Sequence, residues 1–297
     1  DVREHEVPHL TRPEITSIIG TLERNGLLGP LQGMNQEERI YEFESRERAG
    51  KQLLVAMREA TSGAGFDKII ADEFASLPSR EVKLIYLFVA LATDAGYRIT
   101  PPLITATSVM SPSETLHSLQ RSLRGIVLPT GPRLDQLVLR HRVIAARVLD
   151  VVAPRTLLAD AYKALVPALA AEVSGHGYRS RAFALFKEII NHRVIFARFE
   201  ESLDEARAIY ESVSWTLRSD AHFWLQYGLL ELWYGHLEFA ENYLRQAESL
   251  NPNSHYIQNS IGHLYLKQAV GAETETVAYH LRQAGSELLT RQMKVDD

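Results

Sequence analysis

The sequence contains no cysteine among its 297 residues, which excludes disulfide bonds and thiolate chemistry and is typical of a reducing compartment such as the cytoplasm. Long apolar runs are missing too. The longest, LIYLFVALA at 84–92, is well short of the roughly 20 residues that a membrane-spanning helix needs. No secretory leader pattern opens the chain. We therefore predict a cytoplasmic protein that does not bind membranes. Because the chain begins at Asp1, we expect a fragment or a processed product.

An excess of positive charge is also missing. The chain has 32 lysines and arginines against 37 acidic residues, a formal net charge of −5, so no global attraction draws it to nucleic acid. Signatures of catalysis are absent as well: there is no G-x-x-x-x-G-K-[ST] phosphate loop, no G-x-S-x-G and no carboxylate cluster for paired metals. We predict no catalytic residue and no metal site within the chain.

One short motif is similar to a zinc site. Residues 5–9 read HEVPH, a match to H-E-x-x-H, in which two histidines one helical turn apart bind zinc and the glutamate acts as base. Pro8 lacks an N–H and clashes with the preceding turn of a helix. We therefore expect no helix through these five residues and no zinc chemistry.

Most of the remaining patterns indicate helix. Helix starts with a capping residue and its partner are read at Thr11 with Glu14, Ser111 with Glu114, Ser202 with Glu205, and Thr100 before Pro101. One hairpin is predicted, with strands at 126–128 and 134–139 and Gly131 in the turn between them. The sequence thus predicts a mainly α protein with a small β-hairpin.

The element order predicts three domains: a helical domain at 1–78, a winged-helix domain at 79–152 and a repeat domain at 153–297. In the second domain, helices are predicted at 81–94, 101–109 and 112–124, followed by the hairpin and a helix from Arg142. Three helices with a β-hairpin are the winged-helix arrangement.

The third predicted helix of that domain is where a winged helix that binds DNA carries its recognition residues. It contains His117, Arg121 and Arg124. Because the basic surface expected of a DNA-binding protein is missing, we favour a solvated helix face over DNA binding.

A repeat of 34 residues, the tetratricopeptide period, is the most specific pattern in the sequence. Ala206 and Ala240 are 34 residues apart, and Val277 aligns as the third copy if three residues near 271–273 are inserted. Consensus residue types occur at Trp224, Gly228, Ala240, Leu244, Ala247 and Pro252, and other types at Tyr227 and Glu231. The pattern predicts a short α-solenoid, in which small residues let the paired helices approach closely. We favour a binding surface over a helical spacer.

Four aromatic residues are candidates for partner contact on this solenoid: Phe223, Tyr227, Tyr234 and Tyr256. Aromatic side chains are enriched at binding hot spots. The alternative is that they belong to the core between paired helices.

The order of a helical segment, a winged helix and a repeat domain resembles the C-terminal part of STAND-type NTPases, which include apoptosome proteins, plant immune receptors and bacterial anti-phage sensors. The segments RERAGKQLLVAMREATSGAGFDKIIADEF and HFWLQYGLLELWYGHLEFAENYL also look like the bacterial defence members. The resemblance implies that the first domain is lid-like and that the repeats are a sensor for a foreign, phage-derived protein. It further implies upstream nucleotide-binding and effector domains, an ATPase parent protein and oligomerisation on activation.

STAND winged helices commonly carry a Met-His-Asp motif after the hairpin, whose histidine contacts the β-phosphate of ADP. The matching position here is His141, with Arg140 in place of the methionine and Arg142 in place of the aspartate. The resemblance therefore implies that these three residues contact ATP or ADP, which is bound mainly by a domain outside this chain. The alternative is that both arginines pair with carboxylates, Glu172 or those in 36–47, and that His141 is an ordinary interface residue.

Two other functions remain open at this point. One is a cytoplasmic tetratricopeptide scaffold that binds a protein partner without a nucleotide switch. The other is a STAND transcription regulator that binds DNA through its winged helix, which salt-dependent DNA binding would favour.

Overall fold

The computed structural model describes residues 10–24, 28–44, 64–176 and 181–293. It is mainly helical with one small antiparallel sheet of two strands, which confirms the predicted mainly α class and the β-hairpin. The HEVPH motif at 5–9 lies outside the described residues. Among the helices that the structure describes, none has the length and apolar character to cross a membrane.

The first half of the chain contains these elements: α1 (Arg12–Arg24), a 3₁₀ turn (Gly29–Gly33), α2 (Gln36–Glu44), α3 (Ala64–Ala75), α4 (Arg80–Asp94), α5 (Pro101–Ala106), α6 (Pro112–Gln120), β1 (Val127–Thr130), β2 (Gln136–Leu139), α7 (Arg142–Arg147) and a π-helical turn (Val148–Val152). The second half is helical in its described parts: α8 (Arg155–His176), α9 (Arg181–Ile189), α10 (His192–Arg198), α11 (Leu203–Ser214), α12 (Ala221–Tyr234), α13 (Leu237–Leu250), α14 (His255–Val270) and α15 (Glu275–Met293).

The chain forms two compact units that do not follow the predicted linear boundaries. One unit joins Asp1–Leu77 with Val143–Val152, and the other joins Pro78–Arg142 with Ala153–Asp297. The predicted winged-helix segment therefore shares a unit with the predicted repeats, and the π-helical turn belongs with the N-terminal helices.

In the first unit, apolar residues recur on one face of α1 and pack against α2 and the 3₁₀ turn. The core cluster consists of Ile15, Ile19, Leu22, Leu28, Leu31, Ile40 and Phe43. Elsewhere in this unit, the Arg147 guanidinium donates to both carboxylate oxygens of Asp67, with 2.7 Å from Nε to Oδ1. This bidentate pair raises the pKa of Arg147 and links α7 to α3.

In the second unit, the longest apolar run of the sequence becomes the buried helix α4. Every residue from Leu84 to Thr93 is buried, because α4 packs against α8 and β2. The Ser79 hydroxyl caps its N-terminus by accepting from the Val82 N–H.

Next to α4 lies the predicted hairpin. β1 and β2 pair antiparallel with Val127 opposite Leu139 and Thr130 opposite Gln136. Gly131 has φ +84° in the turn, a conformation that glycine adopts without steric cost. Ile99, between α4 and α5, pairs with Leu137 of β2 through N–O distances of 2.7 and 3.2 Å.

The predicted helix starts of this segment are confirmed, whereas the helix ends lie earlier than predicted. Ser111 and Glu114 form a reciprocal capping box at α6, and Thr100 caps α5 by accepting from the Leu103 N–H. The helices end at Ala106 and Gln120, because start signals are local whereas ends depend on where the next element packs.

The C-terminal helices follow the 34-residue spacing. α11 and α13 begin 34 residues apart, at Leu203 and Leu237, and so do α12 and α14, at Ala221 and His255. A Cβ added at Gly228 of α12 would lie 2.8 Å from the Leu244 side chain of α13. The predicted small residue thus marks a close approach of paired helices.

The predicted alignment of the last helix is wrong by one residue. Val277, aligned with Ala240, is 50% exposed, whereas its neighbour Ala278 is 4% exposed. Seven residues later Gly285 is buried, as Ala247 is in α13. The insertion is therefore four residues and not three, because α14 extends to Val270 before the turn.

Candidate ligand-binding groove

A groove of 820 Å³ lies within the second unit, lined by residues of α9, α10, α12 and α14. Its apolar lining includes Leu225, Leu229, Trp233, Tyr256 and Ile257. Its polar lining includes His192, His222, Gln226, Asn259, Ser260 and His263. A concave surface of apolar side chains with a few polar groups is the usual composition of a ligand site.

The groove is built from equivalent positions of successive 34-residue units. His192, Gln226 and Ser260 form one such series, and Glu188, His222 and Tyr256 form another. Helices that begin at this spacing present the same face, so their side chains line one continuous surface. The groove is therefore a direct product of the repeat.

At the centre of the groove, His192 and Gln226 hold each other in a defined arrangement. Gln226 Oε1 lies 3.1 Å from the His192 backbone N and 2.9 Å from its ring Nδ1. Because a backbone N–H can only donate, the atom facing it is the amide oxygen, and Nδ1 must carry a proton to donate as well. The orientation of the Gln226 amide is thereby determined.

The second ring nitrogen of His192 has no hydrogen-bond partner. Nε2 is buried, and burial lowers the pKa of His192, so the ring is neutral near pH 7 and Nε2 is an acceptor. A buried acceptor without a donor costs about 1–3 kcal/mol. Such a cost in a groove wall marks a functional candidate.

His222 lies one helical turn before Gln226 and is also neutral. Its ring packs against Phe183 and Phe186, with centroids 5.9 and 6.4 Å away, and its Nε2 is buried without a partner. Burial, with a smaller contribution from the charge of Lys187, lowers the pKa of His222 to about 4. The interior of the groove therefore carries no imidazole charge at pH 7.

The formal charges lie at the edge of the groove. Lys187 and Arg193 are exposed cations and Glu188 is an exposed carboxylate. At the other end Trp233 is 41% exposed, and the Lys267 ammonium lies 4.4 Å from its ring centroid. The edge thus combines positive charge with an accessible aromatic ring.

The structure separates the four aromatic candidates into two groups. Tyr234 and Tyr256 are 38% and 74% exposed, and Tyr256 lines the groove. Phe223 and Tyr227 are 0% and 2% exposed, so the expectation that they are exposed is wrong. Tyr227 stacks on Tyr210 and Tyr243 at 4.8 and 4.0 Å, because its ring faces the neighbouring helices.

The three candidates for nucleotide contact lie between β2 and the body of α7. His141 is half-buried, with its pKa lowered by burial. Arg140 and Arg142 are exposed. On α6 and just after it, His117, Arg121 and Arg124 are exposed as well. In the described part of the chain, no three metal-ligating side chains form a cluster.

Sequence reasoning missed most of the groove. The residues His192, His222, Gln226, Asn259 and Trp233 were not singled out, although their 34-residue spacing was available as a signal. Comparison of the chain with models of known protein families, with curated proteins and with solved structures gave no match.

Proposed function

We propose that the chain is the ligand-sensing and autoinhibitory portion of a cytoplasmic STAND-type NTPase of bacterial antiviral defence. In this proposal the repeats bind a foreign, phage-derived protein, and the winged helix closes over nucleotide held mainly by a domain outside the chain. The observation that carries it is the groove, whose lining residues recur at the tetratricopeptide period.

The element order around the hairpin supports the winged-helix part of the proposal. The pairing of Ile99 with Leu137 adds a short third strand between α4 and α5. The resulting order is helix, strand, helix, helix and hairpin, which is the order of a winged helix. His141 follows directly after the last strand, the position that the STAND family uses for its phosphate-binding histidine.

The chemistry of a switch is consistent with these residues. A diphosphate offers several acceptor oxygens, and arginine or histidine donors from a second domain stabilise a closed state. Ligand binding by the repeats biases the open state if the ligand binds that state more tightly. Activation then leads to a homo-oligomer.

The test uses the intact parent protein, purified without denaturation. It is denatured by heat, and released nucleotide is identified by ion-exchange chromatography. We expect about one ADP per chain from the wild type and little from a His141→Ala variant. A His117→Ala variant, which alters an exposed histidine on α6, is the matched control and should retain its ADP.

The alternative is a scaffold that binds a protein through the groove with no nucleotide switch. The groove favours it equally, since it needs nothing from the winged helix. Absence of nucleotide from the wild type would establish this alternative over the NTPase. ADP from all three proteins would retain the NTPase and remove His141 from the phosphate site. Salt-dependent DNA binding would instead favour a transcription regulator.

A further inference from the structure

We propose that the groove binds an extended segment of a partner protein that carries apolar and acidic side chains, and that the Gln226 amide donates to a main-chain carbonyl of this segment. The inference rests on the proposed function only in taking the repeats as the ligand-binding part. It adds the chemistry of the ligand and the residue that recognises its backbone.

The first argument is an oriented donor. Gln226 is 7% exposed, and its Oε1 is held by two hydrogen bonds from His192. Its Nε2 makes no hydrogen bond to another described residue, although the side chain lines the groove. The amide cannot flip without placing an N–H against the His192 backbone N–H. The groove therefore presents a fixed donor, and a peptide carbonyl is the common acceptor that matches it.

A second donor lies on the next groove helix. Asn259 of α14 is half-buried and lines the groove, and its side-chain amide makes no hydrogen bond to another described residue. α12 and α14 pack against each other, and packed helices lie about 8–10 Å apart. An extended chain advances about 3.4 Å per residue, so its carbonyls two or three residues apart match the two amides.

The apolar wall accommodates alternate side chains of such a segment. Leu225 and Ile257 are buried in the wall, Leu229 is half-buried, and Trp233 and Tyr256 are 41% and 74% exposed. In an extended chain alternate side chains point to opposite sides. One set therefore packs on this wall while the other set points toward the edge and solvent.

Charge selects the second set. The exposed charges that line the groove are two cations, Lys187 and Arg193, and one carboxylate, Glu188. This local positive excess stands in a chain whose formal net charge is −5. Since complementary charge steers association and suppresses wrong partners, aspartate or glutamate is favoured at the positions facing this edge.

The experiment measures binding of synthetic heptapeptides to the full 297-residue chain by fluorescence anisotropy. The peptides are acetylated and amidated, with leucine or phenylalanine at alternate positions and aspartate, serine or lysine at the others. We expect the aspartate set to bind at least about ten-fold more tightly than the lysine set. Raising the salt concentration should reduce this preference.

The discriminating variant is Gln226→Glu. It retains an oxygen to accept from His192 but replaces the outward donor by an acceptor, so we expect aspartate-peptide affinity to fall about ten-fold or more. The matched control, Gln246→Glu, makes the same change at an exposed residue of α13 outside the groove and should leave affinity unchanged. If Gln226→Glu does not fold, Asn259→Asp makes the same donor-to-acceptor change at a half-buried position.

Equal binding by Gln226→Glu and Gln246→Glu would overturn the role of the amide. Equal or tighter binding of the lysine set, or no binding of any set at about 1 mM, would overturn the ligand class. These outcomes are separable from the nucleotide test. ADP in the parent protein without peptide binding would retain the NTPase and reject this inference, and peptide binding without ADP would support the inference together with the scaffold alternative.

Discussion

The helix pairs α12–α13 and α14–α15 occupy successive copies of the 34-residue period but are held together differently. In the first pair, Gly228 packs on Leu244. In the second, glycines lie on both helices, and a Cβ at Gly285 would be 2.8 Å from the Gly262 carbonyl oxygen. The period therefore preserves close backbone approach, while the residues that achieve it differ.

The position of Glu231 makes the difference clearest. Glu231 is fully buried and accepts from Arg207 of α11 at 2.6 and 2.7 Å and from the His236 N–H at 3.0 Å. The equivalent residue 34 positions later is Tyr265, which is half-buried and hydrogen-bonded to Arg245. The first pair is thus tied electrostatically to the preceding helix. The non-consensus residue in the repeat motif has this specific task.

The largest expected effect comes from breaking that tie. Glu231→Ala leaves Arg207 partly buried without its main partner, and loss of one member of a buried pair costs about 3–5 kcal/mol of unfolding free energy. Chemical denaturation followed by circular dichroism measures it. Asp204→Ala is the control, because Asp204 is 97% exposed at 3.7 Å from the same guanidinium and should change stability by less than about 0.5 kcal/mol. Equal losses would contradict the importance of burial.

A smaller effect distinguishes the two glycines on α12 and α14. Gly228→Ala forces a methyl group to 2.8 Å from Leu244, and overpacking of this kind costs about 1–3 kcal/mol. Gly262→Ala meets its nearest neighbour at 3.1 Å and gains helix propensity of about 0.5–1 kcal/mol, so we expect a net change near zero. The shift in thermal midpoint compares the two, and a larger loss for Gly262→Ala would reverse the ranking.

The next effect depends on pH and concerns His222, whose equivalent in the second pair is Tyr256. The pKa of His222 is lowered from 6.5 to about 4 by burial and by Lys187. The unfolded chain therefore binds a proton first as the pH falls, so stability is complete above pH 6.5 and decreases between 6.5 and about 4. One proton contributes at most about 1.4 kcal/mol per pH unit.

Denaturation curves from pH 7.5 to 5 measure this dependence. A His222→Gln variant should lose part of the slope, and His192, whose pKa is also lowered by burial, should account for a further part. The exposed His117→Gln change is the control and should leave the slope intact. An unchanged slope in His222→Gln would refute the assignment.

The smallest stability effect is expected for Tyr256→Ala. Because Tyr256 is 74% exposed, its loss should change the unfolding free energy by less than about 0.5 kcal/mol. It should nevertheless weaken binding of the aspartate heptapeptides, since the ring lines the groove. A substantial loss of stability together with unchanged peptide affinity would assign Tyr256 to the fold instead.

Local signals accounted for much of what could be predicted. The capping box at Ser111 and Glu114 and the glycine turn at Gly131 were read correctly, because both depend on residues close in sequence. The burial of Phe223 and Tyr227 was not predicted. An amphipathic pattern cannot distinguish the two faces of a helix such as α12, which is apolar nearly all round and packs on both sides.

The sequence by itself determined the helical class, the hairpin and the 34-residue period, since caps, turns and periodicity are properties of short segments and their spacing. Only the tertiary structure decided the position of the insertion before α15, the grouping of the hairpin segment with the repeats, and the groove. His192 and Gln226 are 34 residues apart and become one hydrogen-bonded unit through helix packing. A donor acquires a fixed direction only when its neighbours are in place, which is why the candidate site emerged from the fold and not from a motif.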